Sequence, residues 1–187
     1  MFPYMTQEQD EDEHSLELHM PYIMNLMKDR EFGLVPIVVG ALREQEEAMY
    51  GKILAEYLKD PGNVFIVSSD FCHWGSRFGF QFTRKEDEEI HQSIAWLDSL
   101  GMQAIEDKDP EGFSMYLAKY GNTICGRHPI GVLLHALHHE YSCSRSSANG
   151  NNKVPYTIRF TKYDRSNLVR SPSESSVSYA SAIVCLE

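Results

Sequence analysis

Two stretches of this chain bring reactive side chains together within a few residues. In the first, Ser68-Ser69-Asp70-Phe71-Cys72-His73-Trp74-Gly75, a carboxylate and an imidazole stand three residues apart. Asp70 and His73 at that spacing suit a metal ligand with its supporting partner, or a general acid or base. The alternative is that Asp70 caps a turn while His73 and Trp74 close the top of a core. The second stretch, Asn122-Thr123-Ile124-Cys125-Gly126-Arg127-His128-Pro129-Ile130-Gly131, sets Cys125 just before a helix with Pro129 near its first turn. A helix amino end favours thiolate, so Cys125 could ligate a soft or borderline metal, attack an electrophile or be oxidised. Arg127 and His128 add positive character beside it. The other reading of Cys125 is a small buried hydrophobe. Cys72, Cys143 and Cys185 are read that way, as free thiols, because no CxxC pair occurs.

Two further clusters are weaker. His135, His138 and His139 have the i, i+3 and i, i+4 spacing of a metal pair. Helical projection sets them opposite the Ile130, Leu134, Leu137 stripe, on a solvated face. Glu13-His14-Ser15-Leu16-Glu17-Leu18-His19 mixes carboxylates and imidazoles on a first helix, where Glu17 could orient a histidine. No Walker loop, GxGxxG, GxSxG or HExxH is present, so nucleotide cofactors, ordinary serine hydrolysis and zinc-protease chemistry lose their usual entry points.

Positioning these groups requires a scaffold, and the chain punctuates one. Leu34 to Val39 and Val64 to Val67 read as buried strands. Between them, residues 43 to 59 carry a stripe of Met49, Ile53 and Tyr57 with Leu54 and Leu58, so the three segments form a β-α-β unit. Thr83 and Glu86 offer a capping box to a helix that Gly101 should end. Asp109-Pro110 opens another helix that Gly121 stops, and a third should run from Arg127 to Tyr141. Residues 142–153 and 164–176 read as polar loops around a strand in which Tyr156, Ile158 and Phe160 alternate with polar residues. Val177 to Leu186 is the final strand. Alternating strands and helices predict an α/β fold with a layered sheet in a single domain, 1–187.

Composition narrows the function classes. Acidic residues outnumber basic ones 27 to 17, a formal charge of −10, which argues against nucleic acid as a partner. No apolar stretch reaches the length of a membrane span and no signal peptide is present, so a cytoplasmic protein without membrane insertion is expected.

Glu13 to Glu17 through Pro21, Val39 to Leu42, Ser68 to Gly75, Asn122 to Gly131 and Ser175 to Ala180 resemble, in that order, segments of Memo-family proteins. The resemblance implies a layered αβα fold with a mixed central sheet, like that of class III extradiol dioxygenases, beginning midway because the family's amino-terminal segment is absent. It places Cys125 where the dioxygenases have a carboxylate iron ligand, His73 at a second-shell acid–base position, and Asp70 in the same pocket. A thiolate there makes ring cleavage doubtful. The resemblance further implies a signalling adaptor that links receptor tyrosine kinases to cell motility and the cytoskeleton. His73, Cys125 and Asp70 would take a phosphotyrosine peptide from a receptor or adaptor protein. The alternatives are an iron- or copper-dependent oxidoreductase using His73 and Asp70, and an inactive fragment. With Cys125 and His73 as an incomplete metal site, iron or copper would bind weakly.

Overall fold

The computed structural model describes residues 4–147 and 156–186, the side chains of 141–147 and 186 excepted. It divides into two compact units, Met1–Gly40 and Ala41–Glu187, taken in turn below.

The first unit holds three short helices, α1 (Gln7–Asp12), α2 (His14–Glu17) and α3 (Met20–Met27). Thr6 opens α1 with a reciprocal cap: its hydroxyl accepts the Gln9 N–H at 3.2 Å, and the Gln9 side chain accepts the Thr6 N–H at 2.9 Å. Glu13 closes α1 and caps α2, where the Ser15 hydroxyl and amide hold its carboxyl below the usual range. Pro21 lies in the first turn of α3, so it restarts a helix instead of kinking one. None of these helices buries a residue. The strand expected at Leu34 to Val39 is not formed; Val35 is 79% exposed and the run lies outside any helix or strand.

The second unit begins with α4 (Glu44–Leu58), continues through β1 (His73–Trp74), a 3₁₀ turn (Ser76–Phe78), α5 (Ile90–Glu106), α6 (Pro110–Tyr120) and α7 (Arg127–Ser147), and ends with β2 (Tyr156–Arg165) and β3 (Ser176–Leu186). Its sheet is three-stranded and antiparallel in the order β1-β3-β2. Tyr156 and Ile158 of β2 are buried while Thr157 and Arg159 are exposed, as the alternation predicts. A register shift near Thr161 marks a bulge. The mixture of helix and sheet stands, but the β-α-β unit does not, since Val64 to Val67 is also outside any strand. A strand needs hydrogen-bonded neighbours, and neither apolar run makes a backbone–backbone hydrogen bond among the described residues.

Three helices build the core against the sheet. Ile94 and Leu97 of α5, Phe113 of α6, Leu134 and Leu137 of α7, and Trp74 of β1 are all but fully buried. Asp109, Pro110 and Gly121 bound α6 as expected, Gly121 in the left-handed region at φ 62°. Gly101 does not end α5. It lies inside that helix, where the Tyr116 ring approaches to 3.0 Å of where a Cβ would stand. Glu89 and Gln92, instead of Thr83 and Glu86, form the cap of α5. Helix α7 runs past Tyr141 to Ser147, so part of the expected 142–153 loop is helical, and 148–153 falls outside the described residues.

Helix α4 turns only part of its apolar stripe inward, Leu54 and Leu58 being half-buried. It buries Gly51 and Ala55, while Met49, Ile53 and Tyr57 are each 44–58% exposed. The reason is a close crossing with α7: a Cβ at Gly51 would lie 2.6 Å from the His135 Cβ. Among the described residues, no helix is long and apolar enough to cross a membrane.

Candidate functional site

Residues 71 to 74 are held against β3. The Phe71 N–H donates to the Ser178 carbonyl at 2.8 Å, the Ser178 N–H donates to the Cys72 carbonyl at 2.9 Å, and His73 pairs with Val177. Phe71, Cys72 and Trp74 are buried, while Asp70 and His73 are partly exposed. Burial pushes the Cys72 thiol far up, which makes it a packing residue. Trp74 is buried too, and its indole N–H donates to the Phe82 carbonyl at 2.8 Å.

The second stretch follows the left-handed stop at Gly121 and leads into α7. Ser69 joins it to the first: its hydroxyl accepts the Gly126 N–H at 3.0 Å and donates to the Asp70 carbonyl at 2.7 Å. Only glycine fits at 126, where a Cβ would lie 2.4 Å from the Ser69 Cβ. That close approach lets the Asp70 N–H donate to the Cys125 sulfur at 3.1 Å. Cys125 is solvent-exposed at the amino end of α7, so a nucleophilic or oxidisable sulfur is presented with a backbone donor aimed at it.

Asp70 meets His73 on its other side, with its carboxylate 3.7 Å from Nε2. The opposite ring nitrogen, Nδ1, lies 3.0 Å from both the Phe71 and the Thr123 carbonyls. Carbonyls only accept, so Nδ1 carries a proton and Nε2 is the nitrogen left to face Asp70 and an incoming group. The Phe78 ring stands edge-on to His73 at 5.2 Å, with the Arg77 guanidinium 4.4 Å above it. The structure thus brings Asp70, His73 and Cys125 to one surface.

The other candidates separate from it. Glu13, His14, Glu17 and His19 belong to the first unit, where the His19 Nδ1–H donates to the Ser15 carbonyl at 3.0 Å. Of the cluster His135, His138 and His139 on α7, His138 is exposed and His139 half-buried, whereas His135 packs at the α4 crossing, where burial lowers its tendency to be charged. His128, read as positive charge beside the thiol, has its Nδ1 2.6 Å from the Glu47 carboxylate of α4. That pair borders a cavity of about 260 Å³ lined also by Leu42, Phe113, Leu117 and Arg127. Cys185 is a free thiol at the surface; the side chain of Cys143 is outside the described residues.

Sequence reading missed the residues behind the site. Asp98 on α5 is 0% exposed, and its carboxylate accepts from the Cys72 amide at 3.2 Å, the Asn122 side chain at 3.0 Å and the Tyr163 hydroxyl at 2.8 Å. Burial raises the Asp98 carboxyl and outweighs these hydrogen bonds, which act in the opposite sense. The available signal was a charged residue on the buried stripe of Ile94, Leu97 and Ile105.

The donors that are present offer iron or copper an incomplete set. Cys125 and His73 contribute one sulfur and one nitrogen, and among the described residues no three His, Cys, Asp or Glu side chains are placed to hold an ion.

Comparison with known proteins agrees with the two motifs. The family described as Memo-like protein matches residues 1–183. Protein MEMO1 of Mus musculus is 48% identical over 182 residues, 96% of this chain and 58% of that protein. Protein MEMO1 of Homo sapiens shows the same identity and coverage. Protein memo-1 homolog of Caenorhabditis elegans is 42% identical over 184 residues, covering 98% of this chain and 50% of its own length. The chain spans little more than half the length of the curated relatives it matches. With nearly every residue inside the matched region, the chain belongs to the Memo family.

Proposed function

We propose that this chain is a cytoplasmic signalling adaptor that carries receptor tyrosine kinase signals toward motility and the cytoskeleton, and that Asp70, His73 and Cys125 form its docking site for a phosphotyrosine-containing receptor or adaptor segment. The observation that carries this reading is the 3.1 Å contact of the Asp70 amide with Cys125, which joins the two family motifs into one surface. The electrostatics supply a cation beside a ring: the Arg77 guanidinium stands over Phe78, whose ring is edge-on to His73. A half-buried aromatic beside the Arg77 guanidinium suits a phosphorylated phenol ring. In this reading the αβα layering with a mixed sheet is the arrangement of the complete family fold, and iron and copper bind this chain only weakly.

Fluorescence polarisation tests the reading with peptides from receptor tyrosine kinase tails, each in phosphorylated and unphosphorylated form. The phosphorylated forms should bind preferentially, and His73→Ala should weaken them by about tenfold or more, as loss of one charge-assisted hydrogen bond predicts. Equal binding by wild type and His73→Ala would remove the site from the function.

A further inference from the structure

The three surface residues hang from a group that none of them touches. Oδ1 of the buried Asp98 accepts from the Cys72 amide and from the Asn122 side chain, and these two residues immediately precede His73 and Thr123. Both stretches of the site are thereby registered on one oxygen. Oδ2 accepts from Tyr163 of β2, and Ser178 of β3 adds a further hydrogen bond to the carboxylate. Asn122 is fully engaged: its amide nitrogen also donates to the Tyr116 hydroxyl at 2.7 Å, and its oxygen accepts the Thr123 N–H at 2.8 Å.

Thr123 then clasps His73 from both sides. The His73 N–H donates to the Thr123 hydroxyl at 2.7 Å, and that hydroxyl donates to the His73 carbonyl at 3.0 Å. The Thr123 carbonyl accepts the ring Nδ1–H at 3.0 Å. A well-packed apolar side chain at 98 would serve stability as well as a buried carboxylate does. What an apolar residue could not do is receive both amide donors at one point. We propose that Asp98 is a positioning residue of the Asp70–His73–Cys125 site, acting through Asn122 and Thr123 to fix the ring tautomer of His73 and so which nitrogen faces Asp70. The functional consequence for peptide binding rests on the site proposed above; the positioning itself does not.

The test uses the whole chain labelled with ¹⁵N-histidine and reads the His73 tautomer by NMR at neutral pH. Wild type should show the proton on Nδ1. Asp98→Leu and Thr123→Val should both move His73 toward mixed tautomers, whereas Thr123→Ser, which restores the hydroxyl, should return it to Nδ1–H. Val169→Ala removes buried volume outside the chain of hydrogen bonds and should leave the tautomer unchanged. Phosphotyrosine-peptide affinity should fall about two- to thirtyfold in the first two variants, the range expected for coupling through a contiguous network. Thr123→Val decides the matter if Asp98→Leu does not fold. An unchanged tautomer in folded Thr123→Val overturns the proposal, as does an equal change in Val169→Ala. If peptides fail to bind wild type, the proposed function falls and the tautomer series still judges Asp98.

Discussion

Residues 64 to 67 and residues 71 to 74 are neighbouring segments with comparable apolar content and opposite fates. Val64 is 86% and Ile66 54% exposed, in a run without a backbone–backbone hydrogen bond among the described residues. A few positions on, Cys72 and Trp74 are 0% and 1% exposed, and their backbone is tied to β3. Composition does not separate the two; the presence of a partner strand does. An apolar run is a strand only where another strand satisfies its amides and a helix layer covers its side chains.

The largest effect expected from this contrast is in the paired segment. Trp74→Ala should lose about 3–5 kcal/mol in urea unfolding, the range for removing a fully buried aromatic. Amide exchange at 71 and 178 should be slow while that at 64 to 67 is fast. Gly126→Ala should follow at about 1–3 kcal/mol, because the added methyl must displace Ser69. That variant should also change the rate at which iodoacetamide modifies Cys125, by separating the sulfur from the Asp70 amide. Ile66→Ala should stay within about 0.5 kcal/mol of wild type. A loss at Ile66 matching that at Trp74 would break the comparison. The smallest effect concerns pH. Burial lowers the folded-state pKa of His135 beneath its ordinary 6.5, so the folded state binds fewer protons than the unfolded one. Stability from this group is full above about pH 6.5 and declines as pH falls below it. In thermal melts across that interval, His135→Gln should flatten the slope.

The parts of the fold legible in the sequence were those fixed by local chemistry. Asp109-Pro110 and Gly121 bounded α6 because caps and turns need only adjacent residues. The alternation at Tyr156 and Ile158 gave β2 its buried face. What failed depended on distant partners. The Leu34 and Val64 runs could not announce whether a neighbour pairs with them. The stripe of Met49, Ile53, Tyr57, Leu54 and Leu58 marked the inward side of α4 only in part, because the crossing with α7 at Gly51 admits only small residues. At the site, Asp70, His73 and Cys125 were visible as unusual residue types near helix and strand ends. Asp98 was not visible as their support, because its role comes from donors 24 to 65 positions away in sequence.

The crossing of α4 and α7 has a mechanical meaning as well. A methyl at Gly51 would sit 2.6 Å from the Cβ of His135, so at that joint the two helices have no slack in which to slide. Helix α7 starts two residues after Cys125, and α4 turns Met49, Ile53 and Tyr57 outward. The pair is stiff at this crowded joint, and α7 runs from it back to the turn that carries the thiol.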